Sequence, residues 1–160
     1  MKKRMAAIAA VCILLLSCAV GCGKDQPQSA EPDIPLHEVM DSILAQVTMP
    51  EMMTLTAENL LDYYGLEEQD LADSAVCINM NGYEKEEIVL LRAADADRVQ
   101  GIVDQLNASL QDAAVQMQNY LPEQYAMIQK SEVRQSGTYV WLFVSESNEQ
   151  MQAILDTYLQ

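Results

Sequence analysis

Four cysteines hold the most specific chemistry in this 160-residue chain, and their positions divide them into distinct roles. Cys22 ends the stretch Ser17-Cys18-Ala19-Val20-Gly21-Cys22, where small residues lead up to a thiol as in a lipobox. A peptidase must close around that backbone, and the thiol would carry a diacylglyceryl group. Cys18, after Leu15-Leu16-Ser17, is a rival site, but Gly21 before Cys22 fits better and the polar stretch begins only at Lys24. The segment before it supports the assignment. Met1-Lys2-Lys3-Arg4 is basic and Met5 to Leu16 is apolar and uncharged, which is the n- and h-region order of a signal peptide. The apolar run is shorter than the roughly 20 residues needed to cross a bilayer as a helix. The expectation is an exported chain whose signal peptide spans residues 1–21, lipidated at Cys22 and tethered to the outer side of a bacterial membrane. Acyl chains add about 0.8 kcal/mol of anchoring per buried methylene.

With Cys12 and Cys18 removed and Cys22 acylated, Cys77 is left alone, so no internal disulfide is expected. It lies in Ala75-Val76-Cys77-Ile78, where a lone thiol behaves as a small buried hydrophobe. A nucleophilic role needs a base, and the single histidine, His37, sits in an early helix. The run Cys77-x-Asn79-x-Asn81-Gly82 begins like a calcium loop but lacks its first carboxylate and has Ile88 where the bidentate glutamate belongs. Glu84, Glu86 and Glu87 leave weak calcium binding by the acidic loop open. Met49, Met52 and Met53 could offer thioethers to Cu(I), with core packing as the plainer reading. HExxH, GxSxG, Walker and GxGxxG patterns are missing, so no catalytic residue, metal site or cofactor is assigned. The chain carries 24 acidic against nine basic residues, a net charge of -15, which excludes nucleic acid as a partner and sets the domain off from anionic lipid.

The positive binding hint is Tyr139, Trp141 and Phe143, which alternate along one strand and hold the only tryptophan and phenylalanine. Alternation places all three rings on one sheet face. That face is either core beneath helices or an aromatic platform for a sugar or a protein. Tyr63, Tyr64, Tyr120 and Tyr125 are expected at helix ends with their hydroxyls in water.

The elements that must position these residues follow from periodicity. Residues 22–34, dense in proline and polar side chains, read as a flexible tether, and 35–160 as one domain. Leu36, Val39, Met40, Ile43, Leu44 and Val47 make one amphipathic helix. A second runs from Thr56, its cap, to Gly65, with Leu60, Leu61 and Tyr64 on one face. Strands are expected over 75–80 and 88–93. A tight turn at Asn81-Gly82 would pair Ile78 with Lys85, so the ladder is expected to start at Ile88, leaving Tyr83 to Glu87 in a loop. Asp95 to about Tyr120 is one long helix, Pro122 opens a short one, and two strands flank Ser136-Gly137. Thr138 to Val144, apolar on both faces, is central. A last helix follows, with Ser147 and Gln150 suited to a capping box and Met151, Ile154, Leu155 and Tyr158 inward. The fold class is α+β: a four-stranded, mostly antiparallel sheet packed with one long and several shorter helices.

Three stretches, AENLLDYYGLEEQDLADSAVCIN, EEIVLLRAADADRVQGIVDQL and YLPEQYAMIQKSEVRQSGTYVWLFVS, with the closing helix, resemble the bacterial lipoproteins carrying "domain of unknown function 4358", common in clostridia and their relatives. The resemblance implies an exported, lipid-anchored α+β domain and brings no site residues. Genes of proteins that resemble it in this way sometimes sit near those of membrane O-acyltransferases of cell-surface polysaccharide modification. The function expected is a non-catalytic binding or assembly module at the cell surface, with the membrane as partner through its anchor and an envelope protein or polysaccharide as target. The alternative is a small envelope-modifying enzyme or an accessory to exopolysaccharide O-acylation.

Overall fold

The computed structural model describes residues 33–160. The expected signal peptide, with Cys12 and Cys18, and the expected lipidation site Cys22 lie outside the described residues, as does most of the expected tether. Five α-helices and five strands follow in the order α1 (Leu36–Gln46), β1 (Met52–Leu55), α2 (Ala57–Tyr64), β2 (Leu71–Asn79), β3 (Glu87–Ala93), α3 (Val99–Met117), α4 (Pro122–Gln129), β4 (Val133–Ser136), β5 (Tyr139–Val144) and α5 (Asn148–Asp156). The sheet order is β1-β2-β3-β5-β4 and every neighbouring pair is antiparallel.

The sheet therefore has five strands where four were expected. The added strand, β1, pairs Met52 with Asn79 and Leu55 with Val76. Only Leu55 of its four residues is buried, so it lacks the alternation that marks a half-buried strand.

Period-2 alternation divides the core into two layers, one on each face of the sheet. Val76, Val89, Leu91, Val140, Leu142 and Val144 face α2, α3 and α4. Ala75, Cys77, Ile88, Leu90, Tyr139, Trp141 and Phe143 face α1 and α5. Burial on both sides is why all six residues of β5 are interior.

Local chemistry sets the ends of the elements. Gly65 closes α2 in the left-handed region at φ 71°, and its N–H reaches the carbonyl of Leu61 at 2.9 Å. Asp95 accepts from the N–H groups of Asp97 and Arg98, starting a 3-10 turn (Ala96–Arg98) that leads into α3. At α5 the capping box does not form: Ser147 makes no side-chain cap, and Gln150 instead donates to the carbonyl of Gln46 at 3.0 Å, joining α5 to α1. Leu44 and Leu61, counted inward from their spacing, are exposed at the margins of their helical stripes.

The ordered fold already includes Asp33 and Ile34. The N–H of Ile34 donates to the Tyr139 hydroxyl at 2.9 Å, and Asp33 forms an ion pair with Arg92. The chain thus enters the domain at the sheet end where β3 finishes and β5 begins. Among the described residues no helix is long and apolar enough to cross a membrane.

Candidate functional site

At the opposite sheet end, β3 begins one residue earlier than its apolar run. Ile78 pairs with Glu87, which in turn pairs with Val144 of β5. Glu87 then shares a face with Val89 and Leu91, so its side chain projects into the layer between the sheet and α2–α4. Its partner is Tyr64, the last residue of α2, whose buried hydroxyl donates to Glu87 Oε2 at 2.7 Å. Loss of water around the carboxylate pushes the Glu87 pKa up, against the opposing pull of the Tyr64 hydrogen bond and the Lys85 charge. Burial beside that carboxylate raises the Tyr64 phenol as well, keeping it a donor.

This pair borders a cavity of about 370 Å³, within the size range of small-ligand sites. Helix α3 supplies one wall with Gln105, Ser109 and Asp112, while Tyr63 comes from α2, Lys85 from the β2–β3 loop and Glu87 from the start of β3. Neighbouring elements hold these walls in place. Gln105 donates to the carbonyl of Gly65 at 2.8 Å, tying α3 to the end of α2. The N–H of Lys85 donates to Gln124 Oε1 at 2.8 Å, tying the β2–β3 loop to α4. Glu87 keeps partial access to solvent, and among the described residues its second oxygen, Oε1, has no hydrogen-bond partner and is not sealed from solvent. That oxygen is therefore available from the cavity.

A family model described as "Domain of unknown function (DUF4358)" matches residues 45–145. The chain belongs to this family. Every residue that lines the Glu87 cavity falls inside the matched DUF4358 span, whereas His37 and the whole of α5 fall outside it. No curated protein and no solved structure matches the chain.

The candidates read from sequence are distributed differently over the DUF4358 domain. Tyr139, Trp141 and Phe143 do share one sheet face, but α1 and α5 cover it, leaving them 4%, 6% and 5% exposed. These three rings form no platform open to solvent. Trp141 Nε1 donates to Gln152 Oε1 at 2.8 Å, and the rims of Trp141 and Phe143 reach only the wall of a second hollow of about 340 Å³. His37 is exposed and its Nε2 lies 3.9 Å from Asp73, whereas buried Cys77 sits 3.5 Å from the Thr54 hydroxyl; no hydrogen bond joins the two.

The three acids of the β2–β3 loop are split by the sheet. The Asn79 amide donates to Glu84 at 3.0 Å and to Glu86 at 2.8 Å, while Glu87 turns to the other face. Met52 and Met53, adjacent in β1, point to opposite faces and cannot join Met49 as one thioether set. Among the described residues no group of three or more His, Cys, Asp or Glu side chains could hold a metal ion.

Sequence alone does not join Tyr64 to Glu87, because a tyrosine at a helix end reads as having a wet hydroxyl and Glu87 reads as part of the loop. One signal was present. Counting the ladder back from Val89 in steps of two reaches Glu87, a carboxylate at a core position.

Proposed function

We propose that this chain is an exported lipoprotein, acylated at Cys22, whose DUF4358 domain is a non-catalytic binding module on the outer side of the cell membrane. The basic start, the short apolar run and the small residues before Cys22 support export and anchoring. The observation that carries the binding role is the cavity bordered by the Tyr64–Glu87 pair, where a desolvated carboxylate keeps one oxygen for an incoming group. Its position suits a tethered receptor. From Arg92, which pairs with Asp33, to Glu87 is about 17 Å along β3, so the cavity lies toward the other end of the sheet from Asp33. The targets proposed are envelope components, a polysaccharide or a protein, and not nucleic acid.

The test has two arms. Labelled palmitate should enter the wild-type chain and not Cys22→Ser. Ala108→Trp, placed on an exposed wall position to fill the cavity, should abolish capture of soluble cell-wall fragments by the detergent-solubilised chain. Equal labelling of Cys22→Ser defeats the anchor, and undiminished capture by Ala108→Trp defeats the cavity as the binding site.

A second reading, an envelope-modifying enzyme or an accessory to exopolysaccharide O-acylation, has one observation in its favour. Burial moves the Glu87 carboxyl toward the protonated state that a general acid requires. Wall-fragment turnover that Glu87→Gln eliminates would favour it over the module.

A further inference from the structure

We propose that the Glu87 cavity takes a small zwitterion of the amino-acid class, its ammonium group on Glu87 and its carboxylate on Lys85. The inference rests on the reading of this cavity as the binding site and adds the chemistry of what enters it. Lys85 and Glu87, opposite charges two residues apart in sequence, line the same small space, with Asp112 of α3 as a third, exposed charge on its wall. They are close enough for the Lys85 charge to act on Glu87, yet no ion pair within 4 Å joins them. The Lys85 ammonium has no hydrogen-bond acceptor or ion-pair partner among the described residues; only its backbone N–H is engaged, with Gln124. Glu87 is half-satisfied in the complementary way, with Oε2 held by Tyr64 and Oε1 left to the cavity.

A zwitterion completes both groups at once. Its ammonium donates to Oε1 of a carboxylate short of water, and its carboxylate accepts from Lys85, so each interaction is charge-assisted in a partly dry site. A simple amine would meet Lys85 unpaired and a simple acid would meet Glu87, so a ligand with only one of the two charges leaves a like charge facing it. The Tyr63 and Tyr64 rings, with centroids 6.4 Å apart, border the same space and offer aromatic faces to an ammonium group. About 370 Å³ suits a single amino acid or the end of a short peptide.

The test is calorimetric titration of the full chain in detergent with alanine and its two truncations, ethylamine and propionate, near neutral pH. Alanine should bind saturably and each truncation about tenfold or more weaker, the loss of one charge-assisted contact. Glu87→Gln and Lys85→Met should each weaken alanine by a similar factor with the circular dichroism spectrum unchanged. Glu87→Gln keeps an acceptor for Tyr64, so it guards against a simple loss of fold. The proposal is overturned if alanine gives no saturable heat, if ethylamine or propionate binds as well, or if the variant carrying both Glu87→Gln and Lys85→Met still binds. Should alanine fail while Ala108→Trp still abolishes capture of cell-wall fragments, the ligand class is wrong and the binding site stands. Undiminished capture by Ala108→Trp removes the site itself.

Discussion

Replacing Tyr64 by phenylalanine removes one oxygen atom from a buried ring and, with it, the hydrogen bond that Glu87 Oε2 accepts at 2.7 Å. A hydrogen bond to a charged group contributes about 1.5–3 kcal/mol, and most of it should be lost because little water can replace the phenol. A fall of about 2 kcal/mol is expected in urea unfolding, seen as a lower midpoint at constant slope. The cost should depend on pH. Burial holds the folded-state pKa of Glu87 above its unfolded value, so the group favours the folded state most at low pH and withdraws that contribution as pH rises through the folded pKa. Tyr64 offsets part of this by stabilising the carboxylate, so Tyr64→Phe should cost more above that point than below it. In a Glu87→Gln background the same phenol donates to a neutral amide, and its removal should cost only about 1 kcal/mol. Glu87→Gln alone should raise stability above the folded pKa and flatten the pH profile. If Tyr64→Phe costs the same at every pH and in both backgrounds, Glu87 does not hold a desolvated charge and the account of the cavity is wrong.

Trp141→Ala should destabilise by about 3–5 kcal/mol, because the ring is buried beneath α5 and its N–H is paired with Gln152. The wild-type emission should be blue-shifted and unmoved by cell-wall fragments, and a red shift on their addition would show that the aromatic face opens. Gly65→Ala should cost about 1 kcal/mol in urea unfolding; a Cβ there would meet Gln105 only at an ordinary 3.7 Å, so the cost arises from φ 71° and a neutral result would deny that conformation. Calcium at millimolar concentration should leave the melting temperature unchanged, since Asn79 donates to Glu84 and Glu86 while Glu87 lies on the other face. A saturable rise would show that the loop rearranges to hold the ion.

What could be read from the sequence and what could not differ in the range of the physics involved. Helices α1, α2, α3 and α5 are readable because each buries a stripe whose spacing is set within the helix itself, as with Met151 and Leu155 in α5, and α4 is readable from Pro122 at its start. The rejection of an Ile78–Lys85 pairing was readable too, since such a register would bring polar residues opposite buried ones. β1 was not, because Met52–Leu55 becomes a strand through the edge that β2 offers it and not through its own pattern. The site is an extreme case. Tyr64 and Glu87 lie 23 residues apart on different elements, and each alone has a plain reading, a helix-end tyrosine and one more acid in an acidic chain. A carboxylate becomes informative only when strand parity turns it inward, where loss of water makes its partner matter. In an acid-rich domain, abundance therefore says little about chemistry, while a single acid at a core-facing position says a good deal. Glu87 meets that condition on β3, whereas Glu84 and Glu86, three and one residues before it, are satisfied by the amide of Asn79.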